Sequence, residues 1–405
     1  MAMPSSPRRR PTSSLALIAG LGVTSLALLG GCAPGEPELP ACVTRSAAEA
    51  VPADGALFGV NPDWGRQTLA EYADLLGRDP DVAVSFADVP MDETDLVNVR
   101  AAGEQVRGLG GTLLLTLEPR EGLAAVTDDV AGDVAELVDG IQRTGVPVVV
   151  RFAHEMNGSW YAWGQQPEEY VAAFRRVADA LHAGAPGSAT MWAPNEGGGY
   201  PFAGGPAAAE PGSAAFAVLD TDGDGTLTID DDPYAPYYAG DDAVDWVGMS
   251  LYHWGSKHPW GENVLPEPGK FAAQLSGEYD GLDGDQTAVP DFYGTYGVEH
   301  GKPVAIPETA ALVVPRGDAA GERAIKRAWW TQVLSDETAA RFPDLKMVNW
   351  FEWDKEEVEV GEHVDWTVLQ DEETRAAFTA DLPAWLRFAE APVACAVPTP
   401  SAEDG

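Results

Sequence analysis

The sequence predicts a single (β/α)8 TIM barrel, an α/β fold in one domain, and three observations carry that prediction. Eight short apolar runs are spaced along the chain, segments of helical periodicity lie between most of them, and no tandem repeat marks a smaller unit. Strands that alternate with helices build a parallel sheet covered on both faces, and eight of them close into a barrel. A length of 405 residues would also accommodate two doubly wound domains. The count of eight favours closure.

In chain order the predicted strands are Ala56 to Val60, Val82 to Phe86, Thr112 to Leu117, Val146 to Phe152, Thr190 to Ala193, Trp246 to Leu251, Val304 to Ile306 and Met347 to Phe351. Pro147 falls near the start of the fourth, where a missing ladder donor is tolerated. Helical periodicity marks Asp92 to Gly108, Ala131 to Thr144, Pro167 to Ala183 and Ala319 to Leu334. Residues 195 to 245 and 255 to 300 interrupt the alternation as long loops after strands 5 and 6. Loops that follow barrel strands form the active face, so both are expected to shape the rim of a cleft.

Outside the barrel, residues 1–31 read as an export signal, with Arg8, Arg9 and Arg10 ahead of the apolar segment Ser14 to Leu29. The following "LLGGC" resembles a bacterial lipobox, which makes Cys32 the lipidated residue of a cell-surface lipoprotein anchored to the membrane outer face. A transmembrane anchor is the alternative, and the apolar run is near the lower length limit for one. Residues 32–54, rich in Pro, Ala and Glu, read as a tether, residues 55–392 as the barrel, and residues 393–405 as a tail. With Cys32 lipidated, Cys42 and Cys395 remain as an even pair, either free thiols or, outside the reducing cytoplasm, a disulfide.

Charge narrows the partners. Acidic residues number 64 against 25 basic ones, for a net charge of -39, and capture of a phosphate-rich polymer needs clustered Lys and Arg. Nucleic acid is excluded on that ground. Contact with a membrane is expected only through Cys32, and the chain is expected to be a monomer.

Reactive groups stand where barrel enzymes keep them. The fourth run leads into "RFAHEMNGSWYAWG" and so delivers Glu155 at a strand's C-terminal end, while the seventh, "KPVAIPETA", ends in Glu308. Two carboxyls around a glycosidic bond suffice for its hydrolysis: one protonates the leaving oxygen, and the other attacks the anomeric carbon or activates water. No cofactor is needed for that chemistry. Trp160, Tyr161, Trp163, Tyr252, Trp254, Trp350 and Trp353 lie within or just past strand ends, where flat rings can stack on sugar faces.

These residues resemble those of glycoside hydrolase family 26, the group best known for endo-β-1,4-mannanases. "RFAHEMNGSWYAWG" carries most of the resemblance, supported by "MWAPN", "YYAGDDAVDWVGMSLYHWG", "KPVAIPETA" and "NWFEWDKEE". The resemblance implies a retaining double displacement, with Glu155 as acid/base, Glu308 as nucleophile and Tyr252 orienting that nucleophile. It places His154 near the nucleophile or the sugar, and Trp160 and Trp350 in the subsites flanking the bond. Arg151 reads as a structural partner of barrel acids. Mannan endo-1,4-β-mannosidase activity is the first expectation. The pattern "NWFEWDKEE" followed by Asp365 and Trp366 is closer to branches of the family acting on mixed-linkage β-1,3-1,4-glucan or β-1,3-xylan.

A second motif is independent of the first. Residues 220–231, "DTDGDGTLTIDD", match an EF-hand calcium loop. Asp220, Asp222 and Asp224 would offer side-chain oxygens, Thr226 a backbone carbonyl and Gly225 the sharp turn, with Asp231 in place of the usual bidentate Glu. A structural Ca2+ ordering the long loop is expected, although no clear entering helix precedes the motif. The alternative, a calcium-dependent carbohydrate-binding lipoprotein without turnover, leaves the paired reactive acids without a purpose. A calcium sensor would need a second loop.

Overall fold

Eight parallel strands follow one another in chain order around a closed circuit: β1 (Ala56–Pro62), β2 (Val82–Asp88), β3 (Thr112–Glu118), β4 (Val148–Phe152), β5 (Ala189–Trp192), β6 (Trp246–Ser250), β7 (Val304–Thr309) and β8 (Leu345–Glu352). Each pairs with the next, and β8 returns to β1 through six registered residue pairs, Leu57 with Met347 to Pro62 with Glu352. The computed structural model describes residues 40–397 except Arg45 and Pro259. The expected signal segment 1–31, the expected lipidation site Cys32, residues 33–39 and the end of the tail lie outside the described residues.

Side-chain alternation sorts the strands into two packed layers. Leu57, Val84, Leu114, Val149, Met191, Trp246, Ala305 and Met347, one from each strand, form an apolar cluster separate from the larger one that includes the helices. Phe58, Val60, Leu113, Leu115, Val148, Val150, Trp192, Val247, Ile306, Val348 and Trp350 belong to that larger cluster, so neighbouring positions of one strand face opposite ways. Polar residues replace the inner apolar ones further along the same strands, at Asn61, Thr116, Arg151, Ser250, Glu308 and Asn349, all buried. The barrel floor is therefore hydrophobic and its upper end polar, as a site at the C-terminal face requires.

The covering helices are α1 (Leu69–Leu76), α2 (Glu93–Leu109), α3 (Asp128–Gln142), α4 (Pro167–Gly184), the short α5 (Ala214–Leu219) and α6 (Lys270–Leu275), then α7 (Ala319–Val333), α8 (Asp336–Arg341) and α9 (Glu372–Asp381). Local chemistry starts them: Thr68 and Glu71 form a capping box at α1, Asp92 caps α2, and Pro167 occupies the first turn of α4. A π-helix, Tyr293–Glu299, precedes β7. Beyond β8 the hairpin β9 (Asp354–Glu357) and β10 (Glu362–Asp365) rises antiparallel from the rim. None of the described helices is long and apolar enough to cross a membrane.

Three expectations need correction. The tether is shorter than its composition indicates: Ala47–Ala50 forms a 3-10 turn and buries Ala50. The tail is likewise docked at its start, where the Val393 N–H donates to Arg107 O at 3.2 Å and Ala41 bridges Ala396. Cys42 and Cys395 are joined as a disulfide there, 353 residues apart in sequence. The calcium motif does have an entering helix, α5, whose six residues are too short and Ala-rich to show periodicity.

Candidate active site

At the end of β4 the chain turns at once. Ala153 (φ 47) and Glu155 (φ 55) adopt left-handed backbone, which costs a residue with a Cβ about 1–3 kcal/mol and persists only when neighbours hold it. The Ala153 N–H donates to Leu117 O and the Glu155 N–H to Ala193 O, both at 2.8 Å, which ties the turn to the ends of β3 and β5. Asn157 and Asn195 close a reciprocal pair: Asn157 Nδ2 donates to Asn195 O, and Asn195 N donates to Asn157 Oδ1, each at 2.8 Å. At Gly158 a Cβ would stand 2.3 Å from the Trp160 ring. Only glycine lets that ring fold back, and its Nε1 then donates to Glu155 Oε2 at 3.0 Å.

Glu308 arrives on β7, in register with Ser250 across a bulge from β6. Arg151 Nη2 donates to its Oε1, and the Tyr252 hydroxyl donates to its Oε2 at 2.6 Å. Arg151 is fully buried and donates a second bond, from Nε to Thr116 Oγ1 at 2.9 Å. A guanidinium held out of water requires such a carboxylate partner. Two donors aimed at two oxygens also suit an ionised Glu308.

Electrostatics marks Glu155. Burial, then the charge of Glu308, pushes the Glu155 carboxyl up to about 7, against the pull of Ser250, Arg151 and the Trp160 N–H. A carboxyl protonated at neutral pH can donate. Tyr252 is held well above the usual phenol range by burial and by Glu308, so it remains a donor. His154 is driven well below its ordinary value by burial and by the charges of Arg151 and Arg120, which keeps the ring neutral. A raised carboxyl is not diagnostic by itself, because burial also brings Glu196 and Glu352 to about 7. Glu155 is distinguished by the rank of that second charge: Glu308 is its largest influence after burial, whereas Asp283 and Asp365 act on Glu196 and Glu352 only behind contacts that lower them.

Among the ring residues singled out from sequence, Trp160, Tyr161, Tyr252, Trp254 and Trp353 are partly exposed. Trp353 stacks on Phe351 at 5.8 Å and donates to Asn61 Oδ1. Two others are corrected. Trp350 is fully buried, faces the helix layer against Phe378 and donates to Trp366 O. Trp163 is buried beneath Tyr161, ring on ring at 4.4 Å, with its N–H on His154 O at 2.7 Å. Neither has a free face for a sugar. His154 is also buried, edge-on to Phe86 and tilted against Tyr161 and Trp163, so it packs behind the turn.

Other groups at the site were not singled out in the sequence. Glu118, at the end of β3, feels the charge of Glu308 and is paired with Arg120, which also reaches Asp88 at the end of β2. The strand-end rule that marks Glu155 and Glu308 would have found both acids. Arg151 does pair with a barrel acid, and that acid is Glu308.

In the 220–231 loop, carboxylate oxygens of Asp220, Asp222 and Asp224 lie within 4.8 Å of one another. Asp231 does not join them. Its Oδ1 accepts from Thr221 N at 2.7 Å and its Oδ2 from Thr228 N at 2.9 Å, so it braces the loop backbone.

Comparison with known proteins adds to this geometry. Residues 117–193, from the end of β3 to just past β5 and including Glu155, match the model of glycosyl hydrolase family 26. A stretch of 216 residues is 26% identical to Endoglucanase H of Acetivibrio thermocellus, covering 51% of this chain and 20% of that protein. The chain thus spans about a fifth of the length of the curated relative it matches. A modular endo-β-1,4-mannanase from Cellulomonas fimi superposes with a TM-score of 0.53 at 18% identity, over 88% of this chain and 81% of the other. GH26C from a Muricauda species gives 0.53 at 14% identity, over 83% and 87%. These two share the fold. The sequence match to the family thus centres on the segment around Glu155, and the solved structures add the fold. More narrowly, the segment that presents Glu155 is the one that matches the family 26 model.

Proposed function

We propose that this protein is a retaining, endo-acting hydrolase of β-linked polysaccharide, with Glu155 as acid/base and Glu308 as nucleophile. The observation that carries the reading is the unequal pair: Glu155 is buried and raised to about 7, while Glu308 is bonded by Arg151 and Tyr252. Glu155 protonates the leaving oxygen as a Glu308 oxygen bonds to the anomeric carbon. Once the glycosyl ester has formed, the charge that raised Glu155 is gone, so it can accept a proton from the water that attacks next. Replacing Glu308 with Ala should abolish turnover and leave oligosaccharide affinity largely intact. Full hydrolysis by that variant would remove the assignment.

β-1,4-Mannan is the first substrate in this reading. A β-glucan is the second, favoured by the match to a protein named Endoglucanase H. Reducing-sugar release from galactomannan, glucomannan, barley β-glucan and β-1,3-xylan separates these readings.

A structural calcium ion is proposed at Asp220, Asp222 and Asp224. Three converging carboxylates suit a hard cation, and Asp220 Oδ1 is buried without a hydrogen-bond partner. EDTA should then lower the thermal midpoint of the intact protein and leave Asp222→Ala unaffected. Export with lipid at Cys32 is proposed as well, and the Cys42–Cys395 disulfide suits an oxidising compartment. Cys32→Ser should abolish incorporation of labelled palmitate.

A further inference from the structure

Strained backbone is concentrated around Glu155. Among the described residues five non-glycine positions have positive φ, and four belong to one assembly: Ala153, Glu155, Gln165 (φ 49) and Phe202 (φ 52). The first two form the acid's own turn. The other two lie outside it, Gln165 just before α4 and Phe202 in the long loop after β5, and backbone held in this way calls for a reason.

Hydrogen bonds from both converge on the acid's turn. The Gln165 N–H donates to Met156 O at 2.9 Å, and its side chain, almost fully buried, spans to the long loop: Nε2 donates to Pro201 O at 2.7 Å and Oε1 accepts from Ala209 N at 2.8 Å. Ser159 Oγ donates to Phe202 O at 2.5 Å, and Ala207 N donates to Ser159 O at 2.9 Å. The contact is tight enough that a Cβ at Gly205 would stand 2.2 Å from Ser159 Oγ. So seated, the Phe202 ring meets Trp160 in a T-shaped contact at 5.1 Å and 77°. Trp160 is the donor to Glu155 Oε2.

We propose that Phe202 and Gln165 are positioning residues for the acid/base: they clamp the loop after β5 onto the Trp160 ring, and so hold the Trp160 N–H on Glu155. Neither touches the reacting atoms. Their effect is transmitted through one hydrogen bond, whose donor favours the ionised carboxyl. Loosening the clamp should raise the pKa at which the acid loses its proton. The inference rests on Glu155 being the acid/base.

The test is the pH dependence of kcat/KM for the full chain and for Phe202→Leu, Gln165→Met, Trp160→Phe and Glu155→Ala, on the polysaccharide that wild type hydrolyses best. Trp160→Phe, which deletes the donor, should move the basic limb to higher pH by about 1 unit. Phe202→Leu and Gln165→Met should move it in the same direction by roughly half as much, and Phe202→Tyr, which keeps the ring, should restore the wild-type limb. A clamp that serves stability alone would lower the midpoint of unfolding and leave the limb in place in both variants, and that result overturns the proposal. Wild-type activity in Glu155→Ala would instead overturn the underlying assignment, so the two failures are distinguishable.

Discussion

Replacing Glu155 with Gln tests the raised carboxyl without reference to turnover. In the folded protein this group titrates near 7 against an ordinary value of 4.5, so the fold prefers its protonated form. Below pH 4.5 folded and unfolded chains both carry the proton, and the difference costs nothing. As pH rises through the interval the unfolded chain ionises first, and above 7 the full penalty is present. A gap of that size corresponds to destabilisation on the order of 3 kcal/mol. Gln has nearly the same shape and cannot ionise, so the variant should be inactive yet more stable than wild type, with an advantage that appears only as pH rises. Urea unfolding at pH 4 and pH 8.5, followed by fluorescence, measures it as the change in stability difference between the two proteins. A difference that stays constant with pH would refute the claim that burial and Glu308 raise this group.

Other consequences are more direct. Tyr252→Phe removes one bond to Glu308 Oε2 and should lower kcat/KM by about 10- to 100-fold, equivalent to roughly 1.5–3 kcal/mol for a bond to a charged group; steady-state kinetics decides it. Trp350→Ala should cost about 3–5 kcal/mol of stability, as truncation of a buried aromatic does, while KM for soluble oligosaccharides stays unchanged in the folded fraction. Breaking the Cys42–Cys395 bridge by Cys42→Ser should lower stability by up to about 6 kcal/mol, the chain-entropy limit for so long a loop, with kcat at 25 °C unaffected; thermal unfolding with and without reductant measures the loss.

Strand placement was legible because a parallel barrel buries both faces of its strands, and an apolar run bounded by Gly, Pro or Asp is a strong local signal. The apolar run predicts only Val304 to Ile306 for β7, and the strand extends to Thr309, because Pro307 and Glu308 interrupt the run without ending the strand. Facing is legible too: counting by twos from Met347 places Asn349 and Phe351 inward and Trp350 outward. The carboxyl pair could be found because strand ends in a barrel share one rim. The bond from Arg151 to Glu308 joins residues 157 apart, and the contact of Phe202 with Trp160 joins residues 42 apart. Neither leaves a local pattern, since the first depends on how two strands face each other across the barrel and the second on how two loops meet in space. At the calcium motif, spacing identified three converging acids but could not show that Asp231 is occupied by backbone amides.

The docking of both termini fixes where attachments can hang. Arg107 at the close of α2 and Thr144 just past α3 receive Cys395, Arg107 Nη2 donating to its carbonyl, and these helices end where β3 and β4 begin. Residues 40–44 and 393–397 therefore lie on the underside of the barrel, at the opposite end from the Glu155 turn. A partner bound on that side would leave the rim that carries Glu155 and Glu308 uncovered.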